Sequence, residues 1–265
     1  MKILKIPFDK GGVGKSEGCR KAPDLIIKEA KNFFLTESGF KPSFSVLDTD
    51  IDFSNIDMTN DSIFNTLRPL VEDPITGRLC ILGGDHSVTY AAFRAFAKKH
   101  NGAGLVVFDA HPDCEEDFTP PTHESYLRAL ISEGILDRNR IILIGIRNWT
   151  GDEKSFLDNN RIQYHSMKKI TLQKLENIMD SVTESVRSWD ATYLSIDIDS
   201  ADPSCAPGTG YCEPGGLTSR ELIYCIQRLK LLKNIRMADI VEVNPEKDIN
   251  NLTVTLAAKL LVELN

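Results

Sequence analysis

No apolar run in this chain approaches the ~18 residues that a membrane helix requires; stretches such as Ile141–Ile146 fall far short. The opening MKILKIPFDKGG holds no apolar stretch of signal-peptide length, so a cytoplasmic location is expected. Six cysteines (Cys19, Cys80, Cys114, Cys205, Cys212, Cys225) include no C-x-x-C pair and read as reduced thiols. No basic stripe stands out, which argues against nucleic acid as the main partner. Internal repeats, low-complexity tracts and a Pro/Gly/Ser-rich linker are also missing, and the whole chain, 1–265, reads as one domain.

What is present is ordinary globular material: 265 residues, 42% hydrophobic and 26% charged. Lys plus Arg is 31 and Asp plus Glu is 38, a formal charge of −7 that slightly favours a cationic small substrate. Strand-like runs recur at Lys2–Ile6, Phe44–Leu47, Leu79–Leu82, Gly104–Phe108, Arg140–Ile146, Thr192–Ile198 and Met237–Val243, with a weaker one at Ile162–His165. Helical patterns lie at Val88–Lys99, Ser125–Ser132, Leu172–Val186, Thr218–Leu232 and Leu252–Leu264; Thr218-x-x-Glu221 is a capping-box signature. Alternating strands and helices imply a parallel sheet covered on both faces, and several strands are apolar enough to be buried on both. In such sheets ligands bind beyond the carboxyl ends of the strands.

Three strand ends carry polar clusters: Gly83-Gly84-Asp85-His86-Ser87, Asp109-Ala110-His111-Pro112-Asp113 and Asp197-Ile198-Asp199. Asp85 taken alone reads as a helix cap or loop residue. Side chains two apart on a strand share a face, so Asp109, His111 and Asp113 are expected to converge, as are Asp197 and Asp199. Four carboxylates in one crevice repel unless cations neutralise them. With His86 and His111 the set suits divalent metal, Mn²⁺ ahead of a thiolate-type zinc site, with Fe, Co, Ni and Zn left open. Two ions sharing carboxylates would lie ~3.5–4 Å apart and activate a water between them.

These segments, GGDHS, DAHPD, SIDIDSADPSCAPGTG and the late DIVEVNP, resemble the signatures of the ureohydrolases, the arginase and agmatinase family, in their order and approximate spacing. GCRKAPDLI near the N-terminus is similar to the family's segment before its first helix. The resemblance implies a three-layer αβα fold, with a mainly parallel sheet of roughly eight strands. It also implies two Mn²⁺ per subunit, a small guanidino substrate, and a homo-oligomer, a trimer or hexamer, with no nucleic acid or membrane partner. Carried over by position, one metal would be held by His86, Asp109, Asp113 and Asp197, the other by His111, Asp109, Asp197 and Asp199. The implied reaction is hydrolysis of a guanidinium to urea and an amine. Glu242 matches the family glutamate that grips the guanidinium, where two parallel N–H bonds would fix it. The free oxygen of Asp113 would orient the attacking water, and His123, in the loop after Asp113, would pass a proton to the leaving amine.

The loop from Asp113 to His123 lacks the Asn and Ser donors with which arginases hold an α-carboxylate. Glu115, Glu116 and Asp117 would instead attract a second positive charge, which favours agmatine or a longer polyamine derivative over arginine. Glu213 is a second candidate for the tail. Thr150 falls near a position where arginases carry acids for the α-amino group, another departure. The formiminoglutamate-hydrolysing branch generally lacks the loop histidine. Arginase activity, or a guanidino acid, formiminoglutamate or guanidine itself as substrate, is the alternative within the family, and two other classes stand beside it. One is a metal-binding scaffold without turnover. The other is a nucleotide hydrolase, because Lys10-Gly11-Gly12-Val13-Gly14-Lys15-Ser16 follows a strand and matches a variant phosphate-loop pattern. Such a loop needs a helix starting at Lys15-Ser16, which Pro23 would interrupt.

Overall fold

Strands composed almost wholly of apolar residues need cover on both faces, and they have it in the computed structural model, which describes residues 1–47, 50–73, 77–116 and 118–265. In chain order the main elements are β1 Lys2–Ile6, α1 Ala22–Ala30, β2 Ser45–Leu47, α2 Ile56–Glu72, β3 Leu79–Gly83, α3 Val88–Lys99, β4 Ala103–Phe108 and α4 Tyr126–Ser132. There follow β5 Ile141–Ile146, α5 Gly151–Asn160, β6 Gln163–Ser166, α6 Met167–Gln173, α7 Leu175–Arg187, β7 Ala191–Asp197, α8 Ser219–Leu229, β8 Ile235–Val241 and α9 Leu252–Leu264. The strands form one sheet in the order β2-β1-β3-β8-β7-β4-β5-β6. Every pairing is parallel.

Alternate side chains of each strand feed two separate cores. Val106, Phe108, Leu194, Ile196, Ala238 and Ile240 pack on one side against α1, α7, α8 and α9. Leu105, Val107, Ile81, Tyr193 and Met237 pack on the other against α2, α3, α4 and α5. The architecture is therefore the expected three-layer αβα, eight strands and all parallel. No helix of the described residues is long and apolar enough to cross a membrane.

Some elements depart from the sequence reading. The expected helix Leu172–Val186 is two helices, because Lys174 adopts a left-handed backbone (φ +66) that no α-helix accommodates. The expected Thr218–Leu232 stops at Leu229, though its Thr218–Glu221 capping box forms as read. Pro23 does not interrupt a helix; it sits in the first turn of α1, where a missing N–H costs nothing. Residues 10–16 form turns and open no helix, so the element a phosphate loop requires is absent there.

Candidate metal centre

The carboxyl ends of the four central strands, β3, β8, β7 and β4, meet at one crevice. Beyond β3, Gly84 passes so close to β1 that a Cβ there would lie 1.9 Å from the Phe8 carbonyl oxygen; only glycine lets the chain turn toward His86 at this point. Beyond β4, Asp109 is already outside the strand, and the Asp109 Oδ1 acceptor takes the His111 N–H (2.7 Å). Asp109, His111 and Asp113 thus converge through a folded loop, not through strand alternation. Asp113 itself holds a left-handed backbone (φ +53). Asp197 ends β7, and a single 3₁₀ turn, Ile198–Ser200, carries Asp199 back beside it. Glu242 follows β8, also left-handed (φ +60).

His86 Nδ1 stands 2.9 Å from Asp113 Oδ2, 3.1 Å from Asp109 Oδ2 and 3.2 Å from Asp197 Oδ2. His111 Nδ1 stands 3.1 Å from Asp199 Oδ2 and 3.6 Å from Asp109 Oδ1. Asp109 is common to the two triads, His86–Asp109–Asp113 and Asp109–His111–Asp199. The remaining Asp197 oxygen accepts the Asp199 N–H (2.8 Å).

The proton inventory of His86 tells what this arrangement wants. Asp239 is fully buried and accepts from Tyr193 Oη (2.6 Å), Thr89 Oγ1 (2.7 Å), the Ile196 N–H (3.3 Å) and Ser195 Oγ (2.6 Å). With Ser195 donating to that carboxylate, the Ser195 oxygen has only lone pairs to offer His86 Nε2 at 2.9 Å, so Nε2 carries the ring proton. Burial opposes charge on His86, yet Tyr126 and the three carboxylates raise it well above the usual imidazole range, so a proton occupies Nδ1 until a cation takes its place; without that proton Nδ1 is a lone pair facing three carboxylates. His86 Nδ1 and Asp109 Oδ2 are both buried without a hydrogen-bond partner. Donors bound at adjacent corners of one divalent ion sit about 3 Å apart, so the residues present fit a cation at this position.

Without a cation the cluster must hold protons. Burial and the charge of Asp109 push the Asp113 carboxyl up to about 7. Burial, Asp199 and Asp109 push Asp197 well above the usual carboxylate range. Burial opposes charge on His111, yet Asp109 and Asp199 raise it well above the usual imidazole range. Divalent ions would replace those protons.

Glu242 lies at the same floor, 4% exposed. Its Oε1 accepts from the His86 N–H (2.8 Å) and from His123 Nδ1 (3.0 Å), and its Oε2 accepts from Ser16 Oγ (2.7 Å). A carboxylate only accepts, so His123 Nδ1 bears a proton and Nε2 is left buried and unpartnered. Burial opposes charge on His123, but the bond and charge of Glu242 outweigh it and lift the imidazole to about 9.

Above this floor opens a cavity of about 360 Å³. Its lining includes His111, Asp113, His123, Asp197, Asp199 and Glu242, with Phe118, Trp149 and Tyr211 as aromatic walls. Glu115, Glu116, Glu124 and Glu153 also line it, and among the described residues no lysine or arginine does. Asp117, the third acid of the sequence run, lies outside the described residues. Glu213 does not line the cavity. Its Oε1 accepts from Asn148 Nδ2 (2.7 Å) and faces His111 Nε2 at 3.5 Å. Thr150 both lines the cavity and caps α5, in a capping box with Glu153. Asp85 caps its own turn, accepting from the Ser87 N–H (3.0 Å) and, across the crevice, from the Gly11 N–H (2.7 Å).

The whole chain, residues 1–265, matches the family model described as Arginase family. The chain belongs to the arginase family. An agmatinase, mitochondrial, of Gallus gallus is 32% identical over 99% of this chain and 79% of its own length. A mitochondrial arginase of Medicago truncatula is 39% identical over 73% of this chain, a match that takes in 56% of that protein. The crystal structure of a formimidoylglutamase from Bacillus subtilis superposes with a TM-score of 0.93 at 27% identity, covering 99% of this chain and 85% of that one. Arginase-family enzymes are hydrolases of amidino C–N bonds that depend on a binuclear metal centre, and this arginase-family chain clusters Asp and His donors at its strand ends.

Sequence reasoning missed several residues here. Ser195 and Asp239 lie inside strands, where polar residues in an apolar run are the only signal. Ser16 was absorbed into the phosphate-loop pattern. Glu153 was announced by Thr150-x-x-Glu153, a capping box that also marks α5.

Proposed function

We propose that this protein is an agmatinase-like ureohydrolase that cleaves a guanidino compound with a cationic tail, agmatine to putrescine and urea in the best-fitting case. The observation that supports the tail charge is the cavity wall, with four glutamates and, among the described residues, neither lysine nor arginine. A substrate α-carboxylate would meet repulsion there, whereas an ammonium or second cationic group would be drawn in. Phe118, Trp149 and Tyr211 suit a methylene chain and a cation at its end.

His86, Asp109, Asp113 and Asp197 would hold one metal ion, and His111, Asp109, Asp197 and Asp199 the other. The oxygen-rich donor set, with one imidazole per position, suits Mn²⁺. When bound, the pair supplies an activated water and positive charge against four carboxylates. Glu242 holds the guanidinium carbon toward that water. The Asp113 carboxylate orients the water for addition to the carbon. The bond from that carbon to the chain nitrogen then breaks, and the departing amine takes a proton from His123, whose charged form the bond to Glu242 favours. Glu115 faces the tail; Glu213, seated against His111 Nε2, orients that imidazole. Assembly into a trimer or hexamer completes the reading on family grounds.

Urea release by the Mn²⁺-loaded protein across agmatine, aminopropylagmatine, arginine, guanidinobutyrate and guanidine tests the substrate. The highest kcat/KM is expected for agmatine or its aminopropyl derivative. A preference for arginine would overturn the tail argument and keep the chemistry. No urea from any of them, with metal bound, would leave a metal-binding scaffold without turnover. His123→Ala is expected to retain its metal content and lose about 10²–10⁴-fold in kcat; unchanged turnover would remove His123 from proton transfer.

A further inference from the structure

The segment Lys10–Ser16 reads as a phosphate loop, yet two of its donors, at Gly11 and Ser16, are taken by buried carboxylates. The Gly11 N–H donates to Asp85 Oδ2 (2.7 Å) and Ser16 Oγ donates to Glu242 Oε2 (2.7 Å). In the other direction, the Gly11 carbonyl accepts the His123 N–H (3.0 Å). One short stretch of chain therefore touches the turn that carries His86, the loop that carries His123, and Glu242 itself. From outside it is fastened by Lys247 Nζ, which donates to the Lys15 carbonyl (2.8 Å). Its outer turn faces solvent, with Val13 57% exposed, while Ser16 is fully buried.

The acceptor inventory of Glu242 gives this contact its meaning. A carboxylate offers about four lone-pair positions, two per oxygen. Oε1 already accepts from the His86 N–H and from His123 Nδ1. Oε2 accepts from Ser16 alone among normal-length bonds, Cys19 Sγ lying 3.9 Å away. The acceptor position left for a guanidinium N–H is thus on Oε2, which leaves room for one such bond and not the two parallel bonds expected from the sequence, and Ser16 determines which way it points. We infer that Ser16 is a positioning residue, and that residues 10–16 form a strap that aims the free lone pair of Glu242 Oε2 at the substrate guanidinium. The inference rests on Glu242 being the group that takes the guanidinium. Gly12 belongs to the same device, because a Cβ there would fall 2.2 Å from Ser16 Oγ and displace the hydroxyl.

The test compares wild type, Ser16→Ala, Ser16→Cys and Ser16→Thr, each as the Mn²⁺-loaded protein, in agmatine hydrolysis. Ser16→Ala is expected to raise KM about ten-fold while kcat changes by less than about three-fold, because a donor to a charged group has been lost from ground state and transition state alike. Ser16→Cys, a weaker donor of nearly the same shape, should fall between, and Ser16→Thr should recover most of the loss. Metal content and unfolding midpoint should stay at wild-type values in all three. A Ser16→Ala KM within two-fold of wild type overturns the inference, as does a loss that merely follows metal content or midpoint. If wild type itself neither binds agmatine by calorimetry nor releases urea from it, the role of Glu242 falls first and the strap falls with it.

Discussion

Asp109→Ala is expected to strip the metal centre as a whole, where His111→Ala should empty only one position. Asp109 alone belongs to both donor triads, with Oδ1 beside His111 and Oδ2 beside His86. Without it, His86 Nδ1 keeps Asp113 and Asp197 as near neighbours, and His111 Nδ1 keeps Asp199. Residues that merely support a ligand already alter metal affinity about 10–100-fold, so losing a shared ligand should exceed the upper end of that range. Metal content after dialysis, read beside urea release, checks this. Retention of either ion at wild-type affinity in Asp109→Ala would contradict the sharing. Asp197→Ala provides the companion measurement: it should behave like Asp109→Ala if Asp197 also bridges, and like His111→Ala if it serves one ion.

Glu242→Gln is expected to bind metal as wild type does and to lose about 100-fold or more in kcat/KM toward guanidino substrates. The amide is nearly isosteric, and its oxygen can still accept from the His86 N–H and His123 Nδ1. What disappears is the negative charge and the acceptor character of Oε2, where a charge-assisted bond to the guanidinium would form. The left-handed backbone at Glu242 costs Gln as much as Glu, so stability should change little. Full activity in this variant would show that the guanidinium is held elsewhere, with the cavity-wall glutamates the next place to look. A loss of metal with activity would make Glu242 a support of the centre instead.

How much of this was legible beforehand divides along physical lines. A parallel sheet buried on both faces is written as uninterrupted apolar runs, and β4 and β5 are such runs. The helices α3 and α9 were read to the residue because their periodicity is unbroken. By contrast, α2 buries Thr59 and Asn60 where an apolar stripe is expected, and carries Pro69 in its last turns. The split between α6 and α7 turns on the φ of a lysine, which composition does not signal. At the site, the six Asp and His residues stand out because polar clusters interrupt apolar strands. They converge not through the alternation of a strand but through a loop, Asp109 to Asp113, held by the His111 N–H on Asp109 Oδ1 and the Ala110 N–H on Asp199 Oδ1. Ser16, Ser195 and Asp239 could not have been placed, because their meaning comes from partners far away along the chain.

The position of β8 has a consequence for how the site is held together. It follows the other seven strands in chain order, yet it lies in the middle of the sheet, between β3 and β7. In the finished sheet β8 is the strand that joins β2-β1-β3 to β7-β4-β5-β6, pairing with β3 on one side and β7 on the other. His86 stands at the end of one side, and Asp109, His111, Asp113, Asp197 and Asp199 at the end of the other. The β7–β4 side therefore carries five of the six donors, including the whole Asp109–His111–Asp199 triad, and it is the His86 position that depends on β8 to bring the two sides together. The same strand delivers Glu242, so one element both completes the surroundings of His86 and supplies the carboxylate proposed to seat the substrate.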